Sequence, residues 1–230
     1  MVTSVKEQTV EELGGSTSVL ARQRRDHAEI DRLMDRYDTT TGLEREAALK
    51  GLVRRVFGHA FAEETVLWPV VRRAVPEGER LTSQVEEEHQ QINDLVTDIE
   101  RLDAGDPSRA EELGQAFALI RQDIRDEEDQ LLPRLREAMS PTRLRRIGAG
   151  RETARRVAPT HPHPVVPRRP PGNVVLGVPL SAFDRARDLL GTASPGALFK
   201  RPAAWGTGLA LLTWSVIRWL RRAREPGPRC

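Results

Sequence analysis

Apolar side chains recur at steps of three and four residues over most of the first 147 positions of the chain. Ile92, Val96 and Ile99 are one example, in a stretch where charged and polar residues occupy most other positions. This spacing predicts amphipathic helices that bury one face. Glycine, proline and short polar clusters divide the pattern into four long segments. They span about residues 16–38, 43–75, 78–104 and 107–139.

The ends of these segments carry residue types that start and stop helices. Ser16–Ser18 offers N-cap candidates for the first segment, and Pro107 suits the first helical position of the fourth. Short connections between long helices favour antiparallel neighbours. We therefore predict an all-α fold, an up-down-up-down antiparallel four-helix bundle over residues 16–147. Residues 1–15 show no clear period, and we expect them to be a mobile N-terminus.

The composition changes after the four helical segments. Residues 158–179 contain seven of the sixteen prolines, which argues against a helix and predicts an extended linker within residues 148–180. A short amphipathic helix is expected at residues 181–190. The basic tail, residues 181–230, is also expected to form an apolar helix at about 203–220, a stretch that holds three of the four tryptophans.

Charge is distributed unevenly, although the formal net charge of the chain is only +2. Residues 1–150 hold 22 basic and 30 acidic side chains, whereas residues 151–230 hold 14 and 4. The single cysteine, Cys230, excludes an internal disulfide and a cysteine-based metal cluster. The polar N-terminus lacks the features of a secretion signal, so we expect a cytoplasmic protein.

The sequence contains an internal repeat. Residues 26–33 (DHAEIDRL) resemble residues 88–95 (EHQQINDL), and residues 59–69 (HAFAEETVLWP) resemble residues 123–133 (DIRDEEDQLLP). The offsets are 62 and 64 residues, so we expect two copies of one helical hairpin. Each copy carries an acid-His pair on its first helix and a His or Asp four residues before a Glu on its second.

The chemistry-bearing residues of both copies are expected at one level of the bundle. At about 1.5 Å per helical residue, their distances from the connecting turns differ by only a few ångströms. Burying imidazoles and carboxylates together is unfavourable unless a pair of divalent or trivalent cations compensates. The predicted metal ligands are His27, His59, Glu63, His89, Asp123 and Glu127.

At these residues the chain resembles the hemerythrin-like family of HHE cation-binding domains. The family pattern is His on helix one, His-x-x-x-Glu on helix two, His on helix three and His-x-x-x-Glu on helix four, and the resemblance covers about residues 16–140. It implies a non-haem di-iron site, with manganese as an alternative metal and Glu63 and Glu127 as bridges. The implied terminal ligands are His27 and His59 of one metal and His89 and Asp123 of the other.

Asp123 departs from this pattern, because the family usually has His there. Aspartate is a hard anionic donor that can bind iron or manganese. Its extra negative charge stabilises the oxidised metal and lowers the reduction potential, which disfavours reversible oxygen carriage. Reduction of oxygen, nitric oxide or peroxide, or sensing, is favoured instead. The alternative is that the second metal binds weakly and the site is mononuclear.

Several neighbours of the predicted ligands are expected to be structural. One step along an α-helix turns a side chain by about 100°, so Glu64 and Glu128 are expected on the surface, in salt bridges. Pro69 and Pro133 are expected to kink their helices. Tyr37 is expected to pack in the core.

Three functions are open from the sequence. The first is a di-iron protein that binds or reduces oxygen, nitric oxide or peroxide, with turnover left undecided. The second is a non-catalytic sensor or metal-handling module, and the third is a structural bundle with a degenerate metal site. Metal content separates the third from the others, and turnover separates the first from the second.

The basic tail points to a membrane surface as a partner. Residues 203–220 are slightly short for a spanning helix, and Trp205 and Trp219 are placed like interface anchors. The segment is expected either to anchor in or lie on a membrane, or to pack on the bundle or on another chain. Nucleic acid is disfavoured, because the arginines lie among prolines and tryptophans rather than in a DNA-binding motif. The oligomeric state is left open.

Overall fold

The computed structural model describes residues 3–103, 106–161, 163 and 166–191. Regular secondary structure in this part of the chain is entirely helical, as predicted, and forms a helical bundle. Two short π-helices, π1 and π2, interrupt the α-helices. The elements in chain order are α1 (Val19–Thr39), α2 (Gly42–Ala62), π1 (Glu63–Leu67), α3 (Trp68–Ala74), α4 (Gly78–Arg101), α5 (Pro107–Asp126), π2 (Glu127–Leu131), α6 (Leu132–Ala138), α7 (Pro141–Arg156) and α8 (Gly172–Gly191).

The four predicted segments correspond to α1, to α2–π1–α3, to α4 and to α5–π2–α6, with boundaries close to the expected ones. Ser18 caps α1, because its Oγ accepts a hydrogen bond from the Ala21 amide at 3.2 Å. Helix α5 begins at Pro107. Both sequence-based assignments are therefore confirmed.

Two apolar clusters fill the interior on either side of a polar layer. The first includes Trp68 and Leu132, and the second includes Ile30, Ile120 and, as expected, Tyr37. The chain passes from the first cluster to the second along α1 and returns along α2–π1–α3, and this alternation repeats in α4 and α5–π2–α6. Helix α1 packs along α2, and α4 packs along α5.

Each π-helix ends two residues before a proline. In the first, the Trp68 amide donates to the Glu63 carbonyl, five residues earlier. Pro69 has no N–H to donate, and its ring would clash with the carbonyl four residues back, so the wider π turn relieves both problems. Pro133 follows π2 in the same way. These prolines thus accompany inserted π turns.

The N-terminal segment is packed against the bundle, in contrast to the mobile lead-in that we expected. Val5 and Leu13 are completely buried in the first apolar cluster. The Val5 amide donates to the carbonyl of Glu128 in π2 at 3.0 Å. Two isolated apolar residues produce no period, so the hydrophobic pattern could not indicate this packing.

The chain beyond the bundle is more helical than predicted. Helix α7 runs through the expected boundary at residue 147, and α8 begins at Gly172 and contains Pro179. The prediction that residues 158–179 are extended was wrong from Gly172 onward. A Cβ atom added at Gly177 would lie 2.6 Å from the Phe61 ring, so α8 packs closely on α2. Such tertiary packing can offset the roughly 3 kcal/mol that an internal proline costs a helix.

Asp184 of α8 holds the connection between α7 and α8. Its carboxylate is fully buried and accepts hydrogen bonds from the amides of Thr160 at 2.9 Å and His161 at 3.2 Å. His163 Nε2 lies 3.0 Å from the same carboxylate. Ser181 adds a bond from its Oγ to the Ala158 carbonyl at 2.7 Å. These contacts fasten the described part of the connection to α8.

The apolar helix predicted at residues 203–220 lies outside the described residues. Within the part of the chain that is described, no helix combines the length and the apolar character needed to cross a membrane.

Candidate metal centre

The six residues that the sequence singled out lie together in the polar layer between the two apolar clusters. No more than 5% of the surface of any of them is exposed. Glu63 and Glu127 are the first residues of π1 and π2, and the other four come from α1, α2, α4 and α5. All four bundle segments therefore contribute to one buried site.

Potential ligand atoms form two groups that share one carboxylate. His27, His59, Glu63 and Glu127 make up the first group, and His89, Asp123 and Glu127 make up the second. Within each group these atoms lie within 4.8 Å of one another. Two histidines thus belong to one group and His89 and Asp123 to the other, which is the pairing that the family resemblance implies.

The carboxylate of Glu63 also faces both groups. Its Oε1 lies 3.0 Å from His59 Nε2, and its Oε2 lies 3.6 Å from His89 Nε2. In the first group, the Nε2 atoms of His27 and His59 are 3.1 Å apart. In the second, His89 Nε2 lies 3.6 Å from an Asp123 carboxylate oxygen. The imidazole nitrogens therefore point toward the carboxylates at the centre of the layer.

Four of these buried atoms have no hydrogen-bond partner among the described residues. They are Glu63 Oε2, His89 Nε2, Asp123 Oδ1 and Glu127 Oε1. A buried polar atom without a partner costs roughly 1–3 kcal/mol. Imidazole nitrogens and carboxylate oxygens are the donors that iron, manganese and zinc accept. The converging unpartnered atoms consequently fit bound metal cations.

A second set of carboxylates orients two of the histidines. His27 Nδ1 lies 2.8 Å from Glu128 Oε1, and His89 Nδ1 lies 2.9 Å from Glu64 Oε1. Both glutamates are buried, with 2% of Glu64 and 6% of Glu128 exposed. The expectation that they form surface salt bridges was wrong. A π turn contains more residues than an α turn, so adjacent glutamates can both face the interior.

His59 has a different outer environment. Arg151 of α7 is 1% exposed, and its Nη2 lies 2.7 Å from His59 Nδ1. The Nη1 atom of the same guanidinium lies 2.8 Å from Asp26 Oδ2. Burial would raise the pKa of Asp26, but His59 and Arg151 hold it well below its ordinary value. An ion pair, instead of a single glutamate, therefore borders this histidine.

Comparison with known sequences agrees with this geometry. Residues 11–135 match the model of the hemerythrin HHE cation-binding domain. The chain belongs to the hemerythrin HHE family. An uncharacterized hemerythrin-like protein of Schizosaccharomyces pombe is 24% identical over 155 residues, covering 67% of this chain and 74% of the relative. No solved structure matches at a significant level. The buried histidines and carboxylates are thus the cluster of a cation-binding domain.

Gln23 is a site residue that the sequence analysis missed. Its buried amide Nε2 donates to Glu63 Oε1 and lies 3.5 Å from Glu127 Oε2. The Gln23 side chain therefore contacts the carboxylates of both Glu63 and Glu127, which lie between the two groups of potential ligand atoms. Its position four residues before His27 places it on the same helix face, which was the available signal.

The ionisable groups of the hemerythrin domain have shifted pKa values. Burial raises the pKa of Glu127 well above its ordinary value, and the charges of Glu63 and Asp123 raise it further. Burial would lower the pKa of His89, but Asp123 and Glu64 outweigh this effect and raise it well above the ordinary value. Protons and cations therefore compete for the same atoms, and metal binding is expected to strengthen as pH rises.

A small cavity adjoins the second group of potential ligand atoms, which contains His89 and Asp123. Its volume is about 20 Å³, and His59, His89 and Asp123 line it together with apolar side chains such as Ile92 and Ile120. A cavity of this size can hold one water-sized molecule. The hemerythrin domain therefore offers its buried cluster a space suited to a ligand of very few atoms.

Proposed function

We propose that this hemerythrin-domain chain holds two non-haem iron ions and binds or reduces a small ligand at them. Oxygen, nitric oxide and peroxide are the ligands of suitable size. The observation that carries the proposal is the convergence of unpartnered buried atoms of Glu63, His89, Asp123 and Glu127 in two groups that share a carboxylate. Iron would supply redox chemistry and an open coordination position.

The proposed ligand roles follow the geometry of the two groups. Glu63 and Glu127 would contact both metals, because each has oxygen atoms near both groups. His27 and His59 would hold one metal, and His89 and Asp123 would hold the other. The proposal includes an up-down-up-down topology of the four bundle segments. The alternating order of the apolar clusters along these segments supports that topology.

Other residues of the chain prepare the site for these ligands. Glu64 and Glu128 orient imidazole rings through Nδ1 and so direct Nε2 inward. Gln23 fixes the two bridging carboxylates. The cavity volume of about 20 Å³ limits the size of the ligand. These features favour a molecule of two or three non-hydrogen atoms over an organic substrate.

Asp123 favours reduction or sensing over reversible oxygen carriage. It replaces a neutral imidazole with an anionic donor inside a layer that already contains several carboxylates. Negative charge near a metal stabilises its higher oxidation state. The reduced centre is therefore expected to lose electrons readily to a bound oxidant.

The test is a measurement of metal content, optical spectrum and turnover on the full chain. We expect about two iron ions per chain and near-ultraviolet absorption from bridged ferric iron. The double variant Glu63→Ala/Glu127→Ala should lose most of the metal, whereas Glu137→Ala, an exposed change on α6, should not. Full iron retention in the double variant would contradict the bridging roles.

The same experiment separates the remaining functions. Bound iron with consumption of peroxide or nitric oxide supports the proposed activity. Bound metal without turnover supports a sensor or metal-handling module instead. Absence of bound metal at neutral pH would identify a structural bundle with a degenerate site.

A further inference from the structure

Arg151 is a buried cation beside the candidate metal centre, and the metal-ligand assignment gives it no role. Only 1% of its surface is exposed. The guanidinium reaches Asp26 Oδ2 at 2.8 Å and His59 Nδ1 at 2.7 Å. A buried charge is strongly unfavourable unless it is paired. Its position next to a proposed metal ligand therefore points to a role in the site.

The other two histidines have outer partners of opposite charge to Arg151. Glu128 borders His27 and Glu64 borders His89, each through Nδ1. A guanidinium carries only donors and keeps its charge at all ordinary pH values. His59 is thus the histidine of the cluster whose outer neighbour is a buried cation, 2.7 Å from its Nδ1.

The position of Arg151 depends on close contact between α7 and the start of α1. A Cβ atom added at Gly148 would lie 2.3 Å from the Thr17 carbonyl oxygen, so only glycine permits this approach. Arg151 lies three residues further along α7, on the face that contacts the bundle. The family match ends at residue 135. The cation is therefore supplied by a helix beyond the matched domain.

The surroundings of Arg151 are strongly anionic. Six carboxyl groups lie in or against the polar layer, and Asp123 adds a charge where the family pattern has none. These groups are Asp26, Glu63, Glu64, Asp123, Glu127 and Glu128. Charges in a buried site interact much more strongly than charges in water. A fixed positive charge at this point acts on the electron affinity of the metals.

We propose that Arg151 raises the reduction potential of the bound metals through its buried positive charge. Its positive charge stabilises the reduced state and partly offsets the effect of Asp123. Asp26 sets the size of this effect, because its carboxylate pairs with the guanidinium at 2.8 Å and partly neutralises it. The inference rests on the proposed iron centre.

The test is a redox titration of the iron-loaded full chain with a one-electron reductant and redox mediators. The optical spectrum reports the ratio of oxidised to reduced centre. Arg151→Gln removes the cation and should lower the potential, with about a tenfold shift in the ratio of oxidised to reduced centre, ~59 mV for a one-electron step. Asp26→Asn should raise the potential. The double variant should return toward the parent value, because both charges are removed together.

Opposite shifts distinguish this role from a purely structural one, which would change both variants in the same direction. Arg151→Lys keeps the charge and should retain most of the potential. Arg146→Gln, an exposed change on the same helix, should leave the potential unchanged. If Arg151→Gln fails to fold, the double variant, which leaves no unpaired buried charge, and Arg151→Lys still test the proposal against Asp26→Asn.

Two results would overturn the inference. The first is a redox titration in which Arg151→Gln leaves the reduction potential unchanged, or in which Asp26→Asn and the double variant shift it by the same amount. The other is an iron-free parent chain, which would also remove the proposed function. Iron binding with unmoved potentials would overturn the role of Arg151 and leave the proposed function intact.

Discussion

The Nδ1 atom of His27 lies 2.8 Å from Oε1 of Glu128, which belongs to the π-helix of the other hairpin. The second hairpin makes the reciprocal contact. Its His89 Nδ1 lies 2.9 Å from Oε1 of Glu64 in the first hairpin. Each copy therefore supplies the carboxylate that orients a histidine of the other. The pairing fixes which ring nitrogen carries the proton and leaves Nε2 available to a cation.

Neutralising either outer glutamate should weaken metal binding. Glu128→Gln and Glu64→Gln preserve size but remove the charge that holds the imidazole N–H, and loss of such partners typically lowers metal affinity about 10–100-fold. Competition with a chromophoric chelator measures the affinity. Glu137→Gln, on the exposed face of α6, is the matched control. Unchanged affinity in both site variants would show that the cross-hairpin contacts do not support metal binding.

Replacement of Asp123 should separate the two metal groups. Asp123→His restores the usual family donor, so it should keep or tighten metal binding and raise the reduction potential by removing one negative charge. Asp123→Ala should weaken the metal held with His89 more than the metal held with His27 and His59. Metal stoichiometry and redox titration measure these effects. If Asp123→Ala alters neither quantity, Asp123 is not a ligand.

The sequence was informative where a regular period or a repeat existed. The three-four spacing predicted the bundle helices, and the repeat predicted which side chains share a layer, because both depend on helical geometry alone. The three-four spacing did not predict the π turns, because a single inserted residue before Pro69 or Pro133 leaves the apolar period of the flanking helices intact. Missing the π turns also placed Glu64 and Glu128 on the wrong face.

The contribution of α7 could not be predicted for a different reason. Arg151 lies outside the repeat, and arginine is common throughout the chain, so its sequence context does not mark it. Its burial follows from the contact of Gly148 with the start of α1, which is a long-range packing relationship. The close packing of Gly177 on Phe61 is also a long-range relationship. It favours a helix in a stretch whose prolines predicted an extended chain.

Asp184 should make the packing of α8 sensitive to acid. Burial would raise the pKa of Asp184, but His163 and the Thr160 amide outweigh burial and lower it below the ordinary value. A lowered folded-state pKa stabilises the fold above the unfolded-state value, about 3.9, and this stabilisation is lost as pH falls through the folded-state pKa. The difference in unfolding free energy between parent and Asp184→Asn should therefore be constant near neutrality and shrink below about pH 4.

The expected size of this difference is roughly 1–3 kcal/mol, because the buried carboxylate accepts two backbone hydrogen bonds. Denaturant titrations at several pH values measure it. Asp98→Asn changes an exposed aspartate on α4, with 58% of its side chain exposed, and should alter stability by less than about 0.5 kcal/mol. A difference that persists undiminished in acid would contradict the role assigned to the Asp184 charge.

We propose that the tail binds an anionic membrane surface. Residues 203–220 are largely apolar and are flanked by Lys200 and Arg201 on one side and Arg221 and Arg222 on the other. Leaving water stabilises such a segment by about 25 cal/mol per Å² of apolar surface, and each nearby cation adds roughly 1 kcal/mol at an anionic surface. The full chain should therefore sediment with anionic vesicles, and a chain shortened to end at residue 195 should not.

The dependence of vesicle binding on salt and on lipid charge identifies which part of the tail accounts for most of the binding. Exposed charges separated by more than about 10 Å are screened at 0.1 M salt, so release at high salt would assign binding to the arginines. Sedimentation that survives high salt and extends to neutral vesicles would assign it to apolar insertion. The acidic body, with 30 acidic and 22 basic side chains in residues 1–150, should not bind by itself. Full-length protein that stays in the supernatant with every vesicle would contradict membrane binding and favour a tail that packs on protein.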